Sequence, residues 1–103
     1  EQDKQARQLA ERRLEARQLL DGLEAALAAD GDALLTPDEC AELHRGIKAL
    51  RTMVDGDDAG SLKAETEALG RASEFFATRR MDRSIRQALA GVSLDALDDE
   101  VSE

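Results

Sequence analysis

Apolar residues in this chain recur every three, four or seven positions, and that rhythm limits its possible folds more than any other feature. With Leu9 as origin and about 100° per residue, Leu9, Ala16, Leu20, Leu23 and Leu27 fall within roughly 40° of one line. Residues 1–30 hold no proline and one glycine, Gly22, whose cost of up to about 1 kcal/mol relative to Ala is one that neighbouring Leu packing outweighs. The pattern predicts one long amphipathic helix over about 1–30. It should end near Asp30 and Gly31, where Gly can take the left-handed C-terminal conformation.

The next helix announces itself. Thr36-Pro37-Asp38-Glu39 reads as an N-cap, a first-turn proline and a Glu placed to complete a capping box, with Leu35 and Cys40 in the positions of a hydrophobic staple. The stripe Cys40, Leu43, Ile47, Leu50, Val54 carries this helix over 37–55, and Gly56 stops it. Asp57 or Asp58 caps a third helix over 58–77, whose inward residues are Leu62, Leu69, Ala72 and Phe76. After Phe76 the pattern turns: Met81, Ile85 and Leu89 share a line about 140° or more away from it. Three large apolar residues exposed together would be costly in water. The expectation is therefore a kink between about 77 and 81, or a separate helix over 81–90. Residues 1–91 form the helical unit, and 92–103, with five acids and no base, read as an acidic flexible tail.

Short connections at 31–36 and 56–57 make consecutive helices antiparallel neighbours. The fold class is all-α: an up-down-up three-helix bundle with a long projecting first helix and a kinked or broken C-terminal helix. At 1.5 Å per residue the first helix is about 45 Å long and the second about 28 Å. About ten N-terminal residues of the first helix thus have nothing in the chain to lie against, an arm shaped to contact something else or to self-associate through Leu9 and Leu14.

Composition supports this and removes alternatives. The 103 residues make one small domain with 18 Ala and 15 Leu, and Val and Ile together number five, which leaves no material for an all-β fold. A formal charge of −9 repels phosphate backbones and argues against nucleic acid. No apolar run approaches the roughly 20 residues of a membrane span. No signal peptide opens the chain, and its first residue, Glu1, points to a processed or excised piece. A soluble, reduced, cytoplasmic-type domain is what these exclusions leave.

Chemistry is sparse. The seven glycines stand singly, so there is no phosphate loop; no nucleophile–base–acid set can be drawn, and the carboxylates lie along solvated faces. No catalytic, cofactor or metal residue is assigned. Cys40 and His44, one turn apart, would leave a tetrahedral metal site half empty; Cys40 reads better as a small core hydrophobe. Arg79, Arg80, Arg83 and Arg86 form a basic cluster in an acidic chain. It reads either as a docking patch for an acidic partner surface or as a solvating face paired with Glu74 or Asp82.

The segment Ala77-Thr78-Arg79-Arg80-Met81-Asp82-Arg83-Ser84-Ile85-Arg86-Gln87-Ala88-Leu89-Ala90-Gly91 resembles the C-terminal signature of the iron–sulfur-assembly branch of the 70-kDa heat-shock chaperones, the HscA type. Glu24 to Leu35 and Gly56-Asp57-Asp58 agree, so the resemblance covers essentially the whole chain. It implies the helical lid of the substrate-binding domain, beginning near the start of the lid's long second helix. The peptide-gripping β-sandwich and the ATPase domain would lie upstream. ATP would bind the parent, not this segment. The resemblance further implies an iron–sulfur scaffold protein as client, a J-domain co-chaperone, and an arm whose Leu14 and Arg17 face the missing groove. One departure is visible: where general members place an acidic residue and a His to latch the lid, this chain has Arg17 and Asp21, so those ion pairs cannot form. The competing function is a stand-alone helical adaptor that recruits partners by helix packing.

Overall fold

The computed structural model describes the backbone of residues 2–102 and the side-chain surroundings of residues 3–91. Among the described residues there are four helices and no strand: α1 (Gln2–Leu34), α2 (Pro37–Val54), α3 (Ala59–Ala72) and α4 (Glu74–Ser102). The first three pack against one another pairwise, and α4 adds contacts to α1 and α3. Antiparallel pairing of α1 and α2 is fixed by Arg13 reaching Val54 at the far end of α2 and by the ion pair of Glu24 with Arg51 in the last turn of α2. The core draws Ala16, Leu20, Leu23, Ala26 and Leu27 from α1, Leu43, Ile47, Leu50 and Val54 from α2, Leu62 and Leu69 from α3, and Phe76 from α4. These are the stripes that periodicity predicts. Ala72 departs from them: it is exposed, and Ser73 takes the buried place beside it.

The start of α2 is built as expected. The Thr36 hydroxyl accepts from the Glu39 N–H at 3.1 Å, and the Glu39 carboxylate accepts from the Thr36 N–H at 2.9 Å. Asp58, rather than Asp57, caps α3 by accepting from the Ser61 N–H at 3.0 Å. α2 meets α3 tightly at Gly46: a Cβ there would lie 2.7 Å from Leu69 Cδ1, so any side chain would force Leu69 to shift.

Two expectations fail, each for a physical reason. The first helix does not end at Gly31. No glycine has a positive φ, and the Leu35 N–H donates to the Gly31 carbonyl at 3.0 Å. The extra turn carries Leu35 into the core, and the chain gains the burial of a leucine by staying helical. The second failure is the break after Phe76. The interruption sits upstream at Ser73 (φ −98, ψ 0), whose hydroxyl bonds back to the Gly70 carbonyl at 3.2 Å. From Glu74 the chain runs as one continuous helix with no break at 77–81, and Met81, Ile85 and Leu89 stay exposed. The inner face of α4 is apolar for a single turn and then cationic: Phe76, Arg80 and Arg83 lie within about 40° of one line. Ion pairs, not an apolar seam, set its direction, so the apolar stripe has nothing to pull it inward. The acidic tail expected over 92–103 falls on residues whose side chains lie outside the described set.

Candidate functional site

Two surfaces stand out from this scaffold: the free end of α1 and the corner where α4 meets the junction of α1 and α2. Residues 3–8 of α1 are exposed, but Gln5, Ala6 and Gln8 border a cleft with Asp57 and Ala59, so less of the helix is free than the ten residues expected. Leu9 is half-buried and packs on the core. Leu14 is 57 % exposed and is the large apolar side chain that the described part of the arm offers to a partner. Arg17, also exposed, lies around the helix from it, over a shallow cleft shared with Asp21, Glu24 and Arg51. The two residues named from sequence are neighbours one turn apart on α1, about 60° apart around it.

The arginine cluster is placed differently from expectation. Arg79 forms a bidentate pair with Glu39, Nη1 to Oε1 at 2.8 Å and Nη2 to Oε2 at 2.9 Å, and the same Nη1 donates to the Leu34 carbonyl at 2.8 Å. Arg80 Nε donates to Asp30 Oδ2 at 2.7 Å, and Arg83 donates to the other oxygen of that carboxylate. The partners are thus Asp30 and Glu39, from α1 and α2, instead of Glu74 or Asp82 on α4 itself. Arg79 lies 4.9 Å from the ring centre of Phe75 and Arg80 5.9 Å from that of Phe76, so the guanidiniums roof the aromatic pair that anchors α4. Of the four arginines, Arg86 alone makes no ion pair among the described residues.

This clasp caps two helices at once. The Leu34 carbonyl is one of the orphan acceptors at the end of α1, and Arg79 satisfies it where a C-terminal glycine motif is absent. At the other end of the bundle Arg13 does the same for α2, donating to the Val54 and Gly56 carbonyls at 2.9 Å each. Neither Arg13 nor the Asp30 carboxylate, whose side chain is only 13 % exposed, is singled out by sequence pattern. Their partners lie 41 and 50 residues away, beyond any helical repeat.

The carboxylates respond accordingly. Glu39 is lowered to about 2, first by the Arg79 hydrogen bonds and then by the Thr36 backbone N–H. Asp30 is lowered by hydrogen bonds from Arg80 and then Arg83, and Asp58 by the Ser61 backbone N–H. A depressed folded-state value means that the unfolded chain binds protons first as pH falls, so the stabilisation is complete above the ordinary Glu value and lost on descent. Thermal stability is expected to be flat above about pH 5 and to drop between about 4.5 and 2. Glu39→Gln keeps a side-chain acceptor at the third helical position but cannot titrate. Differential scanning calorimetry should therefore show a shallower acid slope for it, and equal slopes would remove Glu39 from the clasp.

Cys40 is half-buried against the core and His44 is exposed; among the described residues no group of three metal-binding side chains occurs. No described helix is long and apolar enough to cross a membrane.

No family model matches the chain. It is 48 % identical over 95 % of its length to the chaperone protein HscA homolog of Methylobacillus flagellatus, of which it spans 16 %. Comparable proteins of the same name in Vibrio parahaemolyticus (48 % over 91 % of this chain) and Ralstonia pickettii (48 % over 94 %) are matched over 15 % and 16 % of their lengths. The chain is thus homologous, nearly end to end, to one segment making up about a sixth of these HscA-type chaperones.

Proposed function

We propose that this HscA-like helical bundle is the lid of a chaperone's substrate-binding domain, and that it acts on iron–sulfur protein maturation by slowing the escape of a peptide held by an upstream β-sandwich. The observation that carries this reading is the homology combined with a first helix of 33 residues set against a partner of 18, whose free end has no surface of its own to cover. In the lid reading that end lies over the bound peptide. The bundle acts as a rigid handle, and the clasp at Asp30 and Glu39 keeps α4 from trailing loose. Closure of this kind works on the dissociation rate and adds few sequence-specific contacts. ATP binding and hydrolysis belong to another domain of the parent, as does the J-domain co-chaperone's point of action. The client is an iron–sulfur scaffold protein.

In the intact parent, replacing Leu14 and Arg17 by Ala is expected to speed release of a fluorescent scaffold-derived peptide while leaving the unstimulated ATPase rate unchanged. Stopped-flow displacement measures the first and phosphate release the second. Equal peptide off-rates for variant and wild type would take both residues out of the lid surface. Micromolar binding of the same peptide to the isolated 103-residue chain would overturn the lid reading itself.

A further inference from the structure

We infer that Arg13 aims the free end of α1: by holding the last carbonyls of α2 it fixes the angle at which that end leaves the bundle. The residue stands at the boundary between the packed and the free parts of the helix. Ala16, one turn downstream, is fully buried, whereas upstream only Leu9 packs on the core and residues 3–8 are exposed. Arg13 Nε donates to the Val54 carbonyl and Nη2 to the Gly56 carbonyl, each at 2.9 Å. One planar group thus grips two acceptors on the turn between α2 and α3. Two bonds from a rigid fork fix direction as well as distance, which a point charge on a flexible stem does not. The neighbouring arginines do not share the task. Arg12 pairs with Glu15 on its own helix at 3.2 Å, and Arg7 and Arg17 make no ion pair among the described residues.

The grip does not depend on the side chains of the turn. Asp57 lies 3.8 Å from Nη2 but is 99 % exposed, where water screens such a pair almost completely. The acceptors that matter are backbone oxygens at the C-terminal end of α2, where the helix carries its partial negative charge. Leu9 adds burial, but burial is non-directional. Ten residues separate Arg13 from Asp3, about 15 Å of helix, so a change of about 10° at Arg13 moves the end of the arm by about 3 Å. A shift of that size takes a side chain out of contact with a surface beneath it. In the lid reading, on which this consequence rests, Arg13 is a positioning residue: it touches no peptide itself and sets how firmly the arm and Leu14 press on one.

Double electron–electron resonance between spin labels on Arg7→Cys and Lys48→Cys, both exposed positions, reads the direction of the arm in the 103-residue chain, with Cys40→Ala removing the native thiol. With Arg13 in place the labels should give one narrow distance. Arg13→Ala should give a distribution shifted by about 3 Å or more, or at least about twice as broad. Arg13→Lys keeps the charge but cannot grip both carbonyls, and should behave as the Ala variant does. Leu50→Ala weakens the core without touching the arm, and well below its melting temperature it should leave the distance as in wild type. That separates loss of aim from a general loosening. In the intact parent, Arg13→Ala and Arg13→Lys should both speed peptide release by roughly 3-fold or more. A label distance unchanged in Arg13→Ala, restored by Arg13→Lys, or disturbed equally by Leu50→Ala overturns the inference, whatever the release rate does. A changed distance with an unchanged release rate upholds the hold of Arg13 on the arm and overturns instead the reading of that arm as a lid surface.

Discussion

Phe76→Ala is expected to destabilise the chain by about 3–5 kcal/mol, the cost of truncating a fully buried aromatic ring and leaving a partly collapsed cavity. At roughly 4–8 °C per kcal/mol for a domain of this size, the melting temperature should fall by roughly 12–40 °C. The effect is large because, among the described residues, Phe76 is the one buried apolar side chain that α4 contributes to the core. It also lies beneath the Arg80 guanidinium, so its loss loosens the roof over the Ser73 interruption as well as the core below. A helix without tertiary packing is marginal in water, and α4 should therefore lose helicity before the three-helix bundle melts. Far-ultraviolet circular dichroism followed through a thermal scan would show this as an early helical loss. A melting temperature within a few degrees of wild type would mean that the arginine clasp holds α4 without the ring.

Leu50→Ala should cost about 2–5 kcal/mol, because Leu50 is fully buried among Leu43, Ile47 and Val54 on the inner face of α2. Here no terminal segment can peel away to relieve the cavity, since α2 is held by α1 on one side and α3 on the other. Unfolding should stay a single cooperative transition, with the urea midpoint lowered and the slope unchanged. Leu14→Ala provides the contrast: the same deletion at an exposed position should stay within about 0.5 kcal/mol of wild type. A Leu50 variant as stable as the Leu14 variant would overturn the assignment of the inner face.

Much of the architecture was legible in local pattern. The stripes Leu20–Leu23–Leu27 and Leu43–Ile47–Leu50–Val54 specify which faces are buried, because burial of a helix face requires that spacing whatever it packs against. The Thr36–Glu39 capping box marks the start of α2 within one residue, since both of its hydrogen bonds close within four residues of chain. The long first helix and its short partner imply the projecting arm by length alone. Pattern also reads Leu62, Leu69 and Phe76 as one inward line, and the structure buries all three.

Where α1 ends and where α4 points were not legible, whereas the end of α2 was read to within one residue from Gly56. A helix terminus is set by whichever partner satisfies its last carbonyls, and at the end of α1 that partner is a side chain remote in sequence, Arg79 at Leu34. Gly31 offers a local way to stop α1, but burying Leu35 and docking Arg79 is the better arrangement once α2 and α4 are in place. The same holds for the arginines of α4. From sequence their charges read as a surface patch or as pairs along their own helix. Only packing brings Asp30 and Glu39 beside them, which converts three of the four into an internal clasp and leaves Met81, Ile85 and Leu89 facing out. Periodicity determined the helices and their inner faces because those follow from interactions three or four residues apart. The tertiary structure alone decided the end of α1 and the course of α4, because those follow from charges about forty to fifty residues apart.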